Sequence, residues 1–388
     1  VNDTTVNLPV SRVERHFAES IPAITKAIHE IVEIESPSGN QESSRAVAEL
    51  IESWVSDLAE CVKIERIPAP GIGEHVILRA FHSNAKPVLV LGHTDTVHPI
   101  GSKQKNPTRI ESDKFFGCGI FDMKANIALV IEVIRFMALH GAIPLRPITC
   151  IFSCDEEIGS GTGRELIENE AKSAAFCLVF EPSAAGKVKT GRKGTALYTI
   201  RTHGIPAHAG LEPERGANAV LEIAKQIEYV SKLNDSAAGT SVNVCTVRGG
   251  TATNVIPEFA ECTVDVRFTS LEKAEMADKA IRSLCASDPR VTISIEGGIN
   301  RPPLERNAAV IELYEYARRC AGSFGYLLEE TQVGGASDGN FVAALGVPVL
   351  DGLGVTGDGA HTLEEHILIS DISKRATLAA LLLGGDGL

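Results

Sequence analysis

Ile148-Thr149-Cys150-Ile151-Phe152-Ser153-Cys154-Asp155-Glu156-Glu157 is an apolar run that ends on three consecutive carboxylates. The run reads as a buried strand. Carboxylates crowded at its end repel one another unless a proton or a cation intervenes, so the stretch predicts shifted pKa values or bound divalent ions. Alone, it would pass for a solvated acidic turn. Other ligand-type residues stand at comparable places. His93 and Asp95 follow Val88-Leu89-Val90-Leu91, Glu181 follows Cys177-Leu178-Val179-Phe180, and His361 follows Pro348-Val349-Leu350 and a glycine-rich loop. Asp122 adds a carboxylate where a loop becomes a helix. Mixed His and Asp/Glu ligands suit zinc, and two zinc ions ~3.5–4 Å apart with a shared carboxylate form a hydrolytic site.

Outward from this stretch, strands are expected at about 75–80, 87–92, 147–153 and 176–180, separated by helices or long loops. That is the grammar of an α/β sheet covered on both faces. Val47, Leu50, Ile51, Trp54 and Leu58 recur at helical spacing, and Ala125 to Leu139 is apolar nearly all round, as in a buried helix. Ligands of such sheets collect at the carboxyl ends of the strands, where His93 and the carboxylates fall. Between Gly191 and Arg301 the pattern changes to strand 195–203, helix 215–232, strands 242–248 and 259–268, helix 271–286 and strand 290–296. This is a compact α+β insert. A helix from Asn307, a short strand Val347-Pro348-Val349-Leu350 and a closing helix from Glu365 then resume the first pattern. The expected organisation is a discontinuous α/β domain, 1–190 with 302–388, interrupted by an α+β domain at 191–301.

The 388 residues, 44% of them apolar, suffice for two cored domains. A net charge of −13 and a pI near 5.4, with no basic stripe, argue against nucleic-acid or anionic-membrane partners. No apolar run approaches the ~20 residues of a transmembrane helix, and the polar start Val1-Asn2-Asp3-Thr4 is no signal peptide. The nine cysteines form no CxxC pair and read as reduced core residues, which suits a cytoplasmic protein. A leader removed before Val1 would instead imply a periplasmic or secreted one. Gly159-Ser160-Gly161-Thr162-Gly163 is glycine-rich but lacks dinucleotide-binding spacing.

His93 and Asp95, two apart at a strand end, point to the same side, so Asp95 is expected to accept the second ring N–H of His93. Glu156 and Glu157 point apart. One can ligate metal while the other acts as general base, and spacing alone does not say which.

At this point the chain resembles the M20 family of dinuclear zinc peptidases and deacylases. The resemblance runs, in order, through Gly92-His93-Thr94-Asp95-Thr96-Val97, Gly117-Cys118-Gly119-Ile120-Phe121-Asp122-Met123-Lys124, Asp155-Glu156-Glu157-Ile158-Gly159-Ser160, Phe180-Glu181-Pro182 and Gly359-Ala360-His361. Its nearest likeness there is to the bacterial glutamate carboxypeptidases of the carboxypeptidase G type. The resemblance implies two Zn2+, with Co2+ or Mn2+ as substitutes, bridged by Asp122 and a water or hydroxide. His93 and Glu181 would hold one ion, Glu157 and His361 the other, and Glu156 would be the general base. Asp95 would assist, and the Asp122–Met123 peptide would be cis.

It also implies that the insert is a lid and homodimerisation domain. His208, in Pro206-Ala207-His208-Ala209-Gly210, would reach a neighbouring subunit's site and polarise the scissile carbonyl. Asn254 and Arg267 would bind substrate, Arg267 by clamping a free α-carboxylate. Selectivity for glutamate would involve Lys187 and Arg301, with Gly335 in the loop Gly334-Gly335-Ala336-Ser337-Asp338, which replaces a more glycine- and threonine-rich one. As ordinary residues, Lys187 and Lys189 would be a solvated strand. The expected function is a zinc metallocarboxypeptidase that cleaves the amide bond before a C-terminal residue, glutamate in the first instance, from a small peptide or N-acyl-amino acid. The alternatives are an N-acyl-amino-acid deacylase or dipeptidase of the same family and a catalytically silent binding protein. Glu156 and the five ligand positions disfavour the last.

Overall fold

The computed structural model describes residues 8–385, so the polar start at Val1–Thr4 lies outside them. The chain divides into two units. The first comprises residues up to Gly191, Arg306–Gln332 and the chain from Ser337; the second comprises Arg192–Glu305 with Val333–Ala336.

The first unit is built on a six-stranded sheet in the spatial order Val62–Ala69, Gly73–Ala80, Ile148–Ser153, Val88–His93, Phe176–Val179, Val349–Leu350. The last four run parallel, and Gly73–Ala80 is antiparallel to both neighbours. Every residue of Val88–His93 and Ile148–Ser153 is buried, which explains why these strands read as mainly apolar runs: helices cover both faces. Ala125–Leu139 packs on Val88–His93, and Gly163–Ala171 packs on Ile148–Ser153. Parallel register brings the strand ends to one edge. His93 lies beside Ser153, and Leu91 beside Val179, so the loops carrying Asp155–Glu157 and Glu181 leave the sheet next to His93.

Two parts of this unit depart from the expectation. Val62–Ala69 forms a strand that its charged residues and Pro68 conceal. It is an edge strand, paired to Gly73–Ala80 across a turn in which Gly71 has φ +79° and the Ile72 N–H meets the Ala69 carbonyl at 2.9 Å. The closing helix starts at Ile369 rather than Glu365. His366–Leu368 pairs instead with Lys114–Phe116, and the Glu365 side chain is turned inward as an acceptor for backbone N–H groups.

The second unit is an antiparallel sheet ordered Ser241–Gly249, Phe259–Phe268, Gly194–His203, Thr292–Arg301. Tyr198 and Ile200, Val264 and Val266 point into its core, and helices Ala219–Ser231 and Leu271–Arg282 cover it with Ile223 and Ile281. One buried face gives the alternation seen in the sequence. The first helix begins later than expected because the Asn218 side chain accepts the Leu221 N–H at 2.9 Å and caps it there.

The boundaries move for a similar reason. Residues 302–305 and the 333–336 segment, assigned from sequence to the first domain, cluster with the second. The Arg192 N–H bonds the Leu304 carbonyl at 3.0 Å, that of Lys193 bonds the Val333 carbonyl at 3.0 Å, and the Arg192 guanidinium holds the carbonyls of Gly335 and Ala336. No described helix is long and apolar enough to cross a membrane. All nine cysteines are free.

Candidate metal centre

The centre forms at the sheet edge of the first unit. His93 is the last residue of its strand and is 1% exposed. Its Nδ1 lies 2.9 Å from the main-chain oxygen of Asp95 and 3.5 Å from the Asp95 carboxylate. The main-chain oxygen is the nearer of the two, with the expected carboxylate beside it. With Nδ1 so engaged, Nε2 faces Asp122 Oδ1 at 3.1 Å and Glu181 Oε1 at 3.5 Å.

The second oxygen of Asp122 points the other way, 3.3 Å from His361 Nε2. His361 also faces Glu157 Oε2 at 3.4 Å. Its backbone is left-handed at φ +64°, on a loop where Gly359 has φ +78°. Asp122 opens the chain toward the buried helix, and the Asp122–Met123 peptide is cis. A single carboxylate thus stands between two imidazoles, each with a further carboxylate beside it.

The carboxylate of Asp95 has a further task. It accepts the N–H groups of Glu156 and Glu157 at 3.1 and 3.2 Å and the Ser38 hydroxyl at 2.6 Å, which fixes the turn carrying both glutamates. Asp155, the first of the three carboxylates, is turned away. Its Oδ2 accepts the N–H and hydroxyl of Thr162 at the start of helix Gly163–Ala171. Two overlapping sets of ligand atoms lie within 4.8 Å of one another: His93, Glu156 and Glu181, and His93, Asp122 and Glu157.

These groups perturb one another strongly. Burial pushes Glu157 up to about 7, with the charge of Asp122 adding to it against the two histidines. Burial opposes charge on His93, yet hydrogen bonds to Asp122 and Asp95 outweigh it and raise its pKa well above the ordinary value. His361 is raised to about 9, chiefly by Asp122. Asp122 is held low by the two imidazoles despite its burial. Glu157 Oε1 is buried with no hydrogen-bond partner. An orphaned carboxylate oxygen among three acidic and two imidazole side chains fits divalent cations, and a mixed N/O donor set suits zinc.

The second unit holds His208, Asn254 and Arg267. His208 lies on a two-residue strand, exposed, and its Nδ1 accepts the N–H groups of Gly210 and Leu211 at 3.1 and 3.2 Å. That leaves Nε2 as the donor of the neutral ring. The Asn254 carbonyl accepts the Ala209 N–H at 2.9 Å, tying its loop to the histidine's. Arg267 is already forked onto Asp265, with Nε and Nη2 each at 2.8 Å. Arg301 is buried at the end of its strand, 7% exposed, and Gly335 is exposed, its carbonyl held by Arg192.

Lys187, in the first unit, follows a tight turn through Ala185 and Gly186, both at positive φ, and pairs with Glu329 at 3.3 Å. Lys189 is buried, so the pair of lysines is not one solvated strand. Glu365 and His98, absent from the residues expected at the site, meet at 2.7 Å, and Glu365 accepts the N–H groups of Gly119, Phe121 and Asp122. The available signals were an acid pair, Glu364-Glu365, shortly after His361, and a histidine five residues past His93.

The profile described as Peptidase family M20/M25/M40 matches residues 89–384. Carboxypeptidase G2 of Pseudomonas sp. (strain RS-16) is 30% identical over 371 residues, covering 93% of this chain and 89% of that protein. Succinyl-diaminopimelate desuccinylase of Xanthomonas oryzae pv. oryzae (strain PXO99A) is 28% identical over 337 residues, covering 80% and 87%. Aminopeptidase PepT of Bacillus cereus shares the fold at a TM-score of 0.76 and 23% identity, covering 94% and 98% of the two chains. The catalytically silent alternative falls away: the chain is a metallohydrolase and belongs to peptidase family M20/M25/M40.

Proposed function

We propose that this metallopeptidase is a two-zinc carboxypeptidase that releases a C-terminal residue, glutamate in the first instance, from a small peptide or N-acyl-amino acid. The observation that carries the reading is the placement of Asp122, whose two oxygens face His93 and His361 at 3.1 and 3.3 Å. One ion would be held by His93 and Glu181, the other by His361 and Glu157, with Asp122 shared. The contact of Glu157 with His361, and its orphaned oxygen, favour it over Glu156 as the ligand. When bound, the ions supply Lewis acidity toward a carbonyl oxygen and toward water.

The residues of the chain do the rest. Glu156, its N–H anchored on Asp95, takes the proton of the attacking water and returns it to the departing nitrogen. His208 Nε2–H donates to the carbonyl oxygen as negative charge develops there. Arg267 and Asn254 receive the α-carboxylate end. His208 would come from the partner subunit of a homodimer formed through the second unit. Exposed Val247 on the edge strand Ser241–Gly249, with exposed Leu221 and Tyr229 on the helix beside that strand, supports such a face.

Glutamate preference rests on Arg301, Lys187 and Gly335 together with the likeness to carboxypeptidase G2. The desuccinylase relative favours a second reading, N-acyl-amino-acid deacylation with the same metal residues. Rates on acyl-glutamate, acyl-alanine and dipeptides separate the two; slower turnover of acyl-glutamate than of acyl-alanine defeats the glutamate assignment. Glu156→Gln is expected to keep both ions and lose ~10²–10⁴-fold or more in kcat. Loss of an ion in this variant, with full activity per remaining zinc, would exchange the roles of Glu156 and Glu157.

A further inference from the structure

We propose that Glu365 and His98 form a buried positioning pair that fastens the Gly119–Asp122 loop and so sets the orientation of the Asp122 carboxylate. The inference rests on the reading of Asp122 as the shared ligand. Neither residue belongs to the groups of ligand atoms at the centre.

Glu365 is wholly buried, at 0% exposure, and both its oxygens are fully engaged. Oε1 accepts the N–H groups of Phe121 and Asp122, each at 2.9 Å. Oε2 accepts the Gly119 N–H at 2.7 Å and His98 Nε2–H at 2.7 Å. A carboxylate has about four lone-pair sites, and here four donors fill them. Three of those donors belong to a segment that cannot complete a regular helix: Asp122 has φ −116° and ψ 90°, and Met123 is also non-helical. Glu365 takes the place of helical acceptors and holds the Asp122 backbone from the side of its own N–H.

The pair also joins the segments that carry the proposed ligands. His98 is five residues beyond His93, and Glu365 is four beyond His361. Through one carboxylate, the loops of His93, Asp122 and His361 share a fixed point. Lys124, buried beneath the loop, places a positive charge in the field of Glu365 and offsets its negative one.

An amide at position 365 has one acceptor arm and one donor arm. On either side of the group at least one backbone N–H would meet the NH2 and lose its acceptor. Outer partners of metal ligands commonly affect affinity ~10–100-fold. The test titrates Co2+ into metal-free wild type, E365Q, H98A, H98Q and D122A, following the visible absorption band and the metal retained after desalting, with the thermal unfolding of each metal-free protein alongside. E365Q is expected to bind both ions ~10–100-fold more weakly and to shift the Co2+ band. H98A should show a smaller loss, and H98Q, which keeps a donor, should recover most of it.

Wild-type affinity and band in both E365Q and H98A overturn the positioning pair, while loss of both ions in D122A leaves the reading of Asp122 standing. Retention of both ions in D122A overturns that reading, and the inference with it. Should E365Q not fold, the histidine variants decide: weak binding in H98A recovered in H98Q sustains the pair, and equal binding in both overturns it.

Discussion

Metal loading should expel protons in a number that depends on pH through Glu157. In the metal-free protein His93 is raised well above 6.5, His361 to about 9 and Glu157 to about 7, so at neutral pH both imidazoles are charged and the glutamate is about half protonated. Cations require these ligands without their protons. Filling both positions should therefore release about 2.5 protons at pH 7, about 3 at pH 6 and about 2 at pH 8. The variation is due to Glu157, because the imidazoles stay charged through nearly all of that range. Glu157→Gln should release about 2 throughout and bind its ion more weakly. Calorimetric titration of Zn2+ in two buffers of equal pH and different ionisation enthalpy counts the protons. Release of fewer than one at pH 7 would refute the proposed histidine contacts, and an unchanged pH dependence in Glu157→Gln would remove that residue from the ligand set.

The second unit makes separate predictions. His208→Ala should keep metal and fold yet lose kcat, since the charge it is proposed to meet would develop only in the transition state, whereas Arg267→Ala should mainly raise KM for substrates with a free α-carboxylate. On the proposed homodimer, mixing His208→Ala with Glu156→Gln should restore activity, because one site of each mixed dimer would carry both groups; verified mixed dimers without activity would place His208 outside its neighbour's site. His16 should contribute a loss of stability in mild acid. Burial, then His140, depresses His16 below 6.5, so between that lowered value and 6.5 the unfolded chain binds more protons and unfolding gains as pH drops. His16→Phe should narrow the gap between urea midpoints at pH 7.5 and 5.5, and an unchanged gap would exclude His16 as its source.

What could be read from one dimension follows from periodicity and chain ends. Val88–Leu91 and Cys177–Phe180 are apolar throughout, and Ile148–Phe152 at every position but Thr149, because the parallel sheet is covered on both faces, and such strands deliver their next residues to one edge. The alternation at 195–203 and 259–268 likewise announces a sheet with one buried face. Val62–Ala69 carries no such signal because its place comes from pairing with a neighbour.

Within the site, chain order and strand ends dictate which residue types arrive at the sheet edge: histidines and carboxylates at His93, Asp122, Glu156, Glu157, Glu181 and His361. How they divide the work depends on contacts between segments distant in the chain. Adjacent carboxylates look alike in sequence, yet Asp155 is drawn to Thr162, Asp95 to the N–H groups of Glu156 and Glu157, and Glu157 to His361. Glu365 sits 243 residues from the Asp122 N–H that it accepts, and no spacing rule spans that gap. The division has one physical reason. Strand and helix periods are local properties of the backbone, whereas a buried carboxylate goes wherever unpaired donors or positive charge remain, and those come from segments far apart in the chain.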